Sequence, residues 1–287
     1  MQPGGKDHFN KNAFENFAKE QNKQKNIEKI KNTILVLSGK GGVGKSTVSV
    51  NLAYYLASKG YKTAILDLDV HGPSIARMTG IEGKKLPFTE DGKPMPIQVK
   101  ENLWVLSIAS ILPNPDEALI WRGPMITGVI KQFFDDFVWP EIDFMVVDNP
   151  PGTGDAPLTI VQQMPNKIDG AIIVTTPQEV SLLDARKAIT FAKRVNVDVL
   201  GIIENMSYLI CPHCEKEIEI FPRGNVERAA EDFHIDILGY VPLDPKVIEA
   251  TDKGISYIEA YSDSLAASAF VSIGDKIVEK LKAKKEI

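Results

Sequence analysis

Residues 39–46 read Gly-Lys-Gly-Gly-Val-Gly-Lys-Ser, a full match to the spacing G-x-x-x-x-G-K-[ST]. No other stretch constrains the fold as much, because such a loop works only between a strand and a helix. Its glycines let the backbone wrap until N–H groups point inward at phosphate oxygens. The helix that follows adds partial positive charge at its N-terminus. Both flanks are present: "TILVLS" (33–38) is a short β-branched run, and 46–58 fits a helix. Lys45 is expected to reach the outer phosphates of a nucleotide such as ATP, and the Ser46 hydroxyl to bind Mg²⁺.

The rest of the chain repeats that alternation. Buried-strand patterns recur at 62–69, 103–110, 143–148, 170–177, 199–206 and 237–244, with helical spacing between them, most plainly over 179–195. Strands alternating with helices predict a mostly parallel sheet covered by helices on both faces. The 287 residues, 44% of them hydrophobic, can build such a core without disulfides. Residues 1–31, rich in Lys, Asn and Gln, read as a polar flexible tail or a frayed helix, and 32–287 as a single domain. The Gly/Pro/charge-rich stretch 82–102 reads as a loop or hairpin excursion.

In open α/β sheets ligands sit at the carboxyl ends of the strands. The second strand ends Asp67-Leu68-Asp69, and "FMVVD" delivers Asp148 to the same edge. A hydrophobic run ending in Asp, downstream of an intact phosphate loop, is the arrangement that orders a Mg²⁺ shell. The glycine-hinged loop 150–155 follows it. Two further fragments are placed to hold a base. The Asn205 amide can both donate to and accept from adenine. Pro242 and Asp244, after the last strand, could pack over a purine.

Two cysteines, Cys211 and Cys214, lie three apart with an extended pattern beyond them, so the pair reads as a metal knuckle at about 207–222. A redox pair would open a helix. Tetrahedral Zn²⁺ and iron–sulfur clusters commonly take four protein ligands, and this chain offers two cysteines. A symmetric dimer would offer four if the pairs met at its two-fold axis. The residues alone leave iron–sulfur and zinc both open.

Lys40 narrows the class. The string GKGGVGKST (39–47) resembles the deviant Walker A motif of MinD, ParA and nitrogenase-reductase ATPases. With DLDVHGPSI (67–75), WRGPM (121–125), DNPPGTGDAPLT (148–159), ENMS (204–207), CPHC (211–214) and VPLDP (241–245), the chain resembles Mrp/ApbC-type P-loop ATPases, which carry iron–sulfur clusters. Asn149 departs from the apolar residue often found there.

The resemblance implies a nucleotide contact surface comprising Gly39, Lys40, Gly41, Gly42, Val43, Gly44, Lys45, Ser46 and Thr47. Lys40 would reach phosphates across a homodimer, and Lys45 and Asp69 would complete the catalytic set, Asp69 positioning the attacking water. Asp67 and Asp148 would support Mg²⁺ beside Ser46. Cys211 and Cys214 of both subunits would hold a [4Fe–4S] cluster destined for apo iron–sulfur proteins.

Net charge is −5, without the general basic footprint of a nucleic-acid binder. No apolar run reaches membrane-spanning length, and the N-terminal stretch lacks the apolar core of a secretory signal, so cytoplasmic residence without membrane partners is expected. Two rival readings remain. One is a MinD/ParA-like regulatory switch, supported by apolar spacing at Phe270, Ile273, Ile277, Val278 and Leu281 near basic ends. The other is a dimeric ATPase with structural zinc.

Overall fold

The structure, a computed structural model, describes residues 6–285 apart from 71, 73, 112–122, 212, 215, 223 and 224, with side chains from residue 17 onward. Trp121 and Arg122 of one motif, His71 and Pro73 of another, and Pro212 of the cysteine loop therefore lie outside the described residues.

The chain runs α1 (Lys6–Glu28), β1 (Ile30–Leu37), α2 (Lys45–Ser58), β2 (Thr63–Asp67), α3 (Ile75–Met78), β3 (Ile97–Lys100), β4 (Leu103–Ser107), α4 (Gly123–Asp135), β5 (Ile142–Asp148), α5 (Asp155–Gln163), β6 (Gly170–Thr175), α6 (Glu179–Arg194), β7 (Val199–Ile210), β8 (Glu217–Ile218), α7 (Asn225–Phe233), β9 (Ile237–Leu243), α8 (Pro245–Lys253), α9 (Tyr257–Ala260) and α10 (Leu265–Lys285). One sheet orders the strands β3-β4-β2-β5-β1-β6-β7, with β9 and the short β8 also pairing to β7. Pairing is parallel except at β3–β4 and β7–β8. The α/β fold class expected from the strand–helix alternation is the one found.

Strand alternation divides the core in two. Ile34 and Val36 of β1 face α2 and α10, whereas Leu35 and Leu37 face the layer built from α4, α5 and α6. β1 lies between β5 and β6, so the chain diverges to either side of it, and the loop after β1 opens at the switch point where α/β sheets bind ligands.

Two segments left open by the sequence take definite form. The polar N-terminal stretch is α1, and its last turns are docked. Asn22 Nδ2 donates to the Asp135 carbonyl at 2.6 Å. Buried Asn26 donates to the carbonyls of Phe134 (2.7 Å) and Phe137 (2.8 Å) and accepts from the Trp139 N–H (3.2 Å). These amides satisfy carbonyls at and beyond the end of α4 that have no partner within that helix. The anchor is polar, so composition does not reveal it. In α10, Phe270, Ile273, Ile277, Val278 and Leu281 are all buried in the core. The apolar stripe that could have served a membrane surface is thus used in packing. No helix among the described residues is long and apolar enough to cross a membrane.

Candidate functional site

The phosphate loop is held in shape from three sides. Gly42 (φ 78°) and Gly44 (φ 82°) occupy the left-handed region, which glycine enters without a side-chain penalty. Gly44 is the N-cap of α2 and supplies no capping side chain, which leaves the first-turn N–H groups available to an anion. A Cβ on Gly44 would collide with Asn205 Nδ2, and one on Gly39 with the Asp184 backbone of α6. The Gly152 N–H donates to the Ser38 carbonyl at 2.8 Å and ties the 150–155 loop to the phosphate loop. Between these walls lies a cavity of about 390 Å³, lined among others by Lys40, Lys45, Ser46, Thr47, Asp69 and Pro151. Lys40 is exposed at its rim.

The carboxylates converge as expected. Asp67 and Asp148 are register partners at the ends of β2 and β5. Lys45 Nζ sits 2.7 Å from Asp148 Oδ2 and 3.9 Å from Asp69 Oδ2. Ser46 Oγ donates to Asp148 Oδ2 at 2.7 Å, and Ser49 Oγ to Asp148 Oδ1 at 2.6 Å. Fully buried Asp67 accepts from Ser107 Oγ (2.7 Å) and from the Asp69 N–H (3.1 Å). Its carboxyl is pushed well above the usual aspartate range, first by burial and then by the charge of Asp148. Three carboxylates thus share one ammonium.

The surplus negative charge and the hard oxygen donors suit Mg²⁺, which keeps several waters and needs only one or two protein carboxylates. Ser46 and Asp148 are the residues that would hold it, with Asp67 and Asp69 behind them.

The two fragments expected around a base are engaged elsewhere. Asn205 Nδ2 donates to the Val43 carbonyl at 2.9 Å, bracing the phosphate loop from β7. Asp244 caps α8 through the Lys246 N–H (2.9 Å) and accepts from Tyr257 OH (2.6 Å). Pro242 is buried within β9. None of the three lines the cavity at the loop.

The cysteines cap a hairpin. β7 and β8 pair through Leu209–Ile218 and Ile210–Glu217, and the Cys211 N–H donates to the Lys216 carbonyl at 2.9 Å. Both thiols are free, Cys211 half-buried and Cys214 exposed. The backbone N–H groups of His213 and Cys214, together with the Cys214 thiol, hold the Cys211 thiol below its ordinary value. That favours the thiolate, the form that binds metal. Among the described residues no three His, Cys, Asp or Glu side chains gather as a metal site. Because β7 runs parallel to β1 through β6, the hairpin extends from the sheet edge that carries the phosphate loop.

Sequence reading missed Ser49 and Ser107, and noted Asn149 without its role. Ser49 was findable, since it lies on the Lys45–Ser46 face of α2 at helical spacing. Ser107 was not, because its partnership with Asp67 requires knowing that β4 neighbours β2. Asn149 Nδ2 donates to the carbonyls of Val36 and Val147 and so stitches β5 to β1, leaving its buried Oδ1 without a partner among the described groups.

Strand, glycine loop, helix and facing carboxylates define a P-loop NTPase of the kind with two lysines in the loop. Residues 29–278 match the family described as NUBPL iron-transfer P-loop NTPase, and the chain belongs to that family. It is 49% identical over 263 residues to a protein of Methanocaldococcus jannaschii named iron-sulfur cluster carrier protein, covering 92% of this chain and 89% of the relative. A Pyrococcus horikoshii protein of the same name is 46% identical, with 92% and 91% covered. Among solved structures, a nucleotide-binding protein from Archaeoglobus fulgidus in complex with ADP superposes with a TM-score of 0.74 at 35% identity, covering 88% of this chain and 96% of that one. The cell division ATPase MinD of Pyrococcus furiosus shares the fold, with a TM-score of 0.64 at 24% identity over 88% of this chain and 99% of its own.

Proposed function

We propose that this protein binds and slowly hydrolyses ATP, holds a [4Fe–4S] cluster between the two copies of a homodimer, and passes it to apo iron–sulfur proteins. The observation that carries the reading is the hairpin tip. It presents two free thiols, one biased toward thiolate, and no third metal-binding side chain joins them among the described residues. A second copy supplies the missing pair. The curated relatives' name supports the same cargo. Free cysteines also suit a reducing cytoplasm.

At the other site, Lys45 exchanges Asp148 for the outer phosphates, and Ser46 with Asp148 would hold Mg²⁺. Mg²⁺, when bound, neutralises phosphate charge. Asp69 orients the attacking water, and Lys40 of each copy reaches the partner's nucleotide, the role an arginine finger plays elsewhere. Turnover is expected well below the ~10 s⁻¹ typical of enzymes.

Anaerobic reconstitution with iron and sulfide tests the cargo. About four irons per dimer with visible charge-transfer absorbance, lost in Cys211→Ala, is the expected result for a [4Fe–4S] centre. Cys₄ sites also take Zn²⁺, so one zinc per dimer with no iron uptake would replace the carrier with a structural metal site.

A further inference from the structure

β7 touches both the phosphate loop and the cysteine hairpin. Asn205 bonds the Val43 carbonyl. The next residue, Met206, also reaches the loop: its Cε lies 3.6 Å from where a Gly44 Cβ would stand. Successive strand residues should point to opposite faces. Both reach Gly44 because Met206 has φ 54°, a left-handed conformation unusual for a long side chain. The pairing of β7 with β9 breaks at that point: Asn205 opposes Val241, but the next pair is Leu209 with Leu243. Four steps on β7 match two on β9, so β7 carries a two-residue bulge. Buried Ser207 closes it by donating to Glu204 Oε1 at 2.5 Å.

Beyond the bulge, only three residues separate Ser207 from Cys211. The hairpin that follows rests on a two-residue β8, and its described residues from 213 to 220 are exposed. A ladder that short gives little stiffness. Little therefore restrains the cysteine hairpin when Asn205–Met206 is displaced.

The loop side has two states available. Without phosphate, Lys45 is paired with Asp148. With phosphate, Lys45 and the N–H groups around Gly42–Gly44 would turn to the ligand, and those are the positions that Asn205 bonds and Met206 lies beside. Backbone strain of this kind persists only where the surroundings enforce it, and it gathers at switch elements.

We propose that the Asn205–Met206 bulge is the joint that couples nucleotide at the phosphate loop to the geometry of the Cys211–Cys214 hairpin, with Met206 as its positioning residue. The functional meaning rests on the cysteines being the cluster ligands, but the joint can be tested without a cluster.

The experiment measures alkylation rates of Cys211 and Cys214 by iodoacetamide, site by site in a mass spectrometer. The full chain is compared alone, with Mg-ADP and with a non-hydrolysable Mg-ATP analogue. In wild type, nucleotide is expected to change the Cys211 rate by about fivefold or more, the low end of ordinary site–site coupling. Met206→Gly relaxes the backbone and removes the contact. It should bind nucleotide within about threefold of wild type yet shrink the thiol response below about twofold. Met206→Gln, whose side chain also reaches the ε position, should restore the response. If Met206→Gly does not fold, Met206→Ala, which removes the contact alone, serves in its place with the same expected loss.

A wild type whose thiol rates ignore nucleotide overturns the joint, as does a Met206→Gly or Met206→Ala protein that keeps the full response. Should wild type take up no iron while its thiols still respond through Met206, the joint stands and the cargo assignment fails.

Discussion

Gly44→Ala should cost stability for two separable reasons, and a double-mutant cycle distinguishes them. The first is backbone: φ 82° lies where a Cβ crowds the following carbonyl, worth about 1–2 kcal/mol against glycine. The second is contact. The new Cβ would overlap Asn205 Nδ2 and sit 3.3 Å from Asn205 Cγ, so the amide must move and give up its bond to the Val43 carbonyl. A lost hydrogen bond of that kind costs about 1 kcal/mol, more if the carbonyl stays dry. The single variant should therefore lose about 2–3 kcal/mol.

In an Asn205→Ala background the obstructing amide is gone, and the nearest remaining neighbour is Met206 Cε at 3.6 Å, an ordinary contact. Gly44→Ala should then cost only its backbone share, about 1–2 kcal/mol. Urea unfolding of the four proteins, free of nucleotide, yields the coupling energy, expected at about 1 kcal/mol. An equal cost of Gly44→Ala in both backgrounds would refute the steric bracing of the loop by β7. A measured change in the urea m-value would instead mean that the variants altered the unfolded or native ensemble, and the cycle would be repeated by thermal unfolding.

Lys40→Ala, at the exposed rim, should bind ADP as a single copy about as well as wild type while ATP turnover falls by about 10²-fold or more, the usual cost of a lost charge-stabilising donor; titration calorimetry beside phosphate release checks both. Asp67 has its folded-state pKa raised above the unfolded one, so the native chain holds the proton longer than the unfolded chain. Stability without Mg²⁺ should therefore fall as pH rises from near 3.8 through the raised value. Asp67→Asn should flatten that slope, and equal slopes in urea midpoints taken from pH 5 to pH 7 would count against it. Asn26→Ala leaves the Phe134 carbonyl and the Trp139 N–H without their amide partner, while Asn22 still reaches the Phe137 carbonyl, and should cost about 2–3 kcal/mol by chemical unfolding; a loss under about 1 kcal/mol would mean that the docking of α1 does not depend on it.

What could be read from the sequence divides by the range of the interaction. The phosphate loop and the carboxylates at strand ends depend on spacing within a few residues, and parallel strands bring their carboxyl ends to one edge whatever their order. Lys45, Ser46, Asp69, Asp67 and Asp148 could therefore be assigned to one edge without knowing that β2 neighbours β5, and they lie together there. The docking of α1 depends on residues more than a hundred positions apart and uses amides that look like ordinary tail composition. Nothing local distinguishes Asn26 from Asn10 or Asn12.

Asn205 falls between these cases. It lies within β7 beside the phosphate loop, whereas its amide chemistry suggested a base. Chemistry at that range is ambiguous, because an amide able to pair with adenine can equally hold a backbone carbonyl. The geometry around it follows from Met206, whose positive φ no pattern of residue types announced. The bulge at Met206 turns two side chains toward Gly44, and through them a strand that would otherwise only fill the sheet meets the phosphate loop on its way to the cysteines.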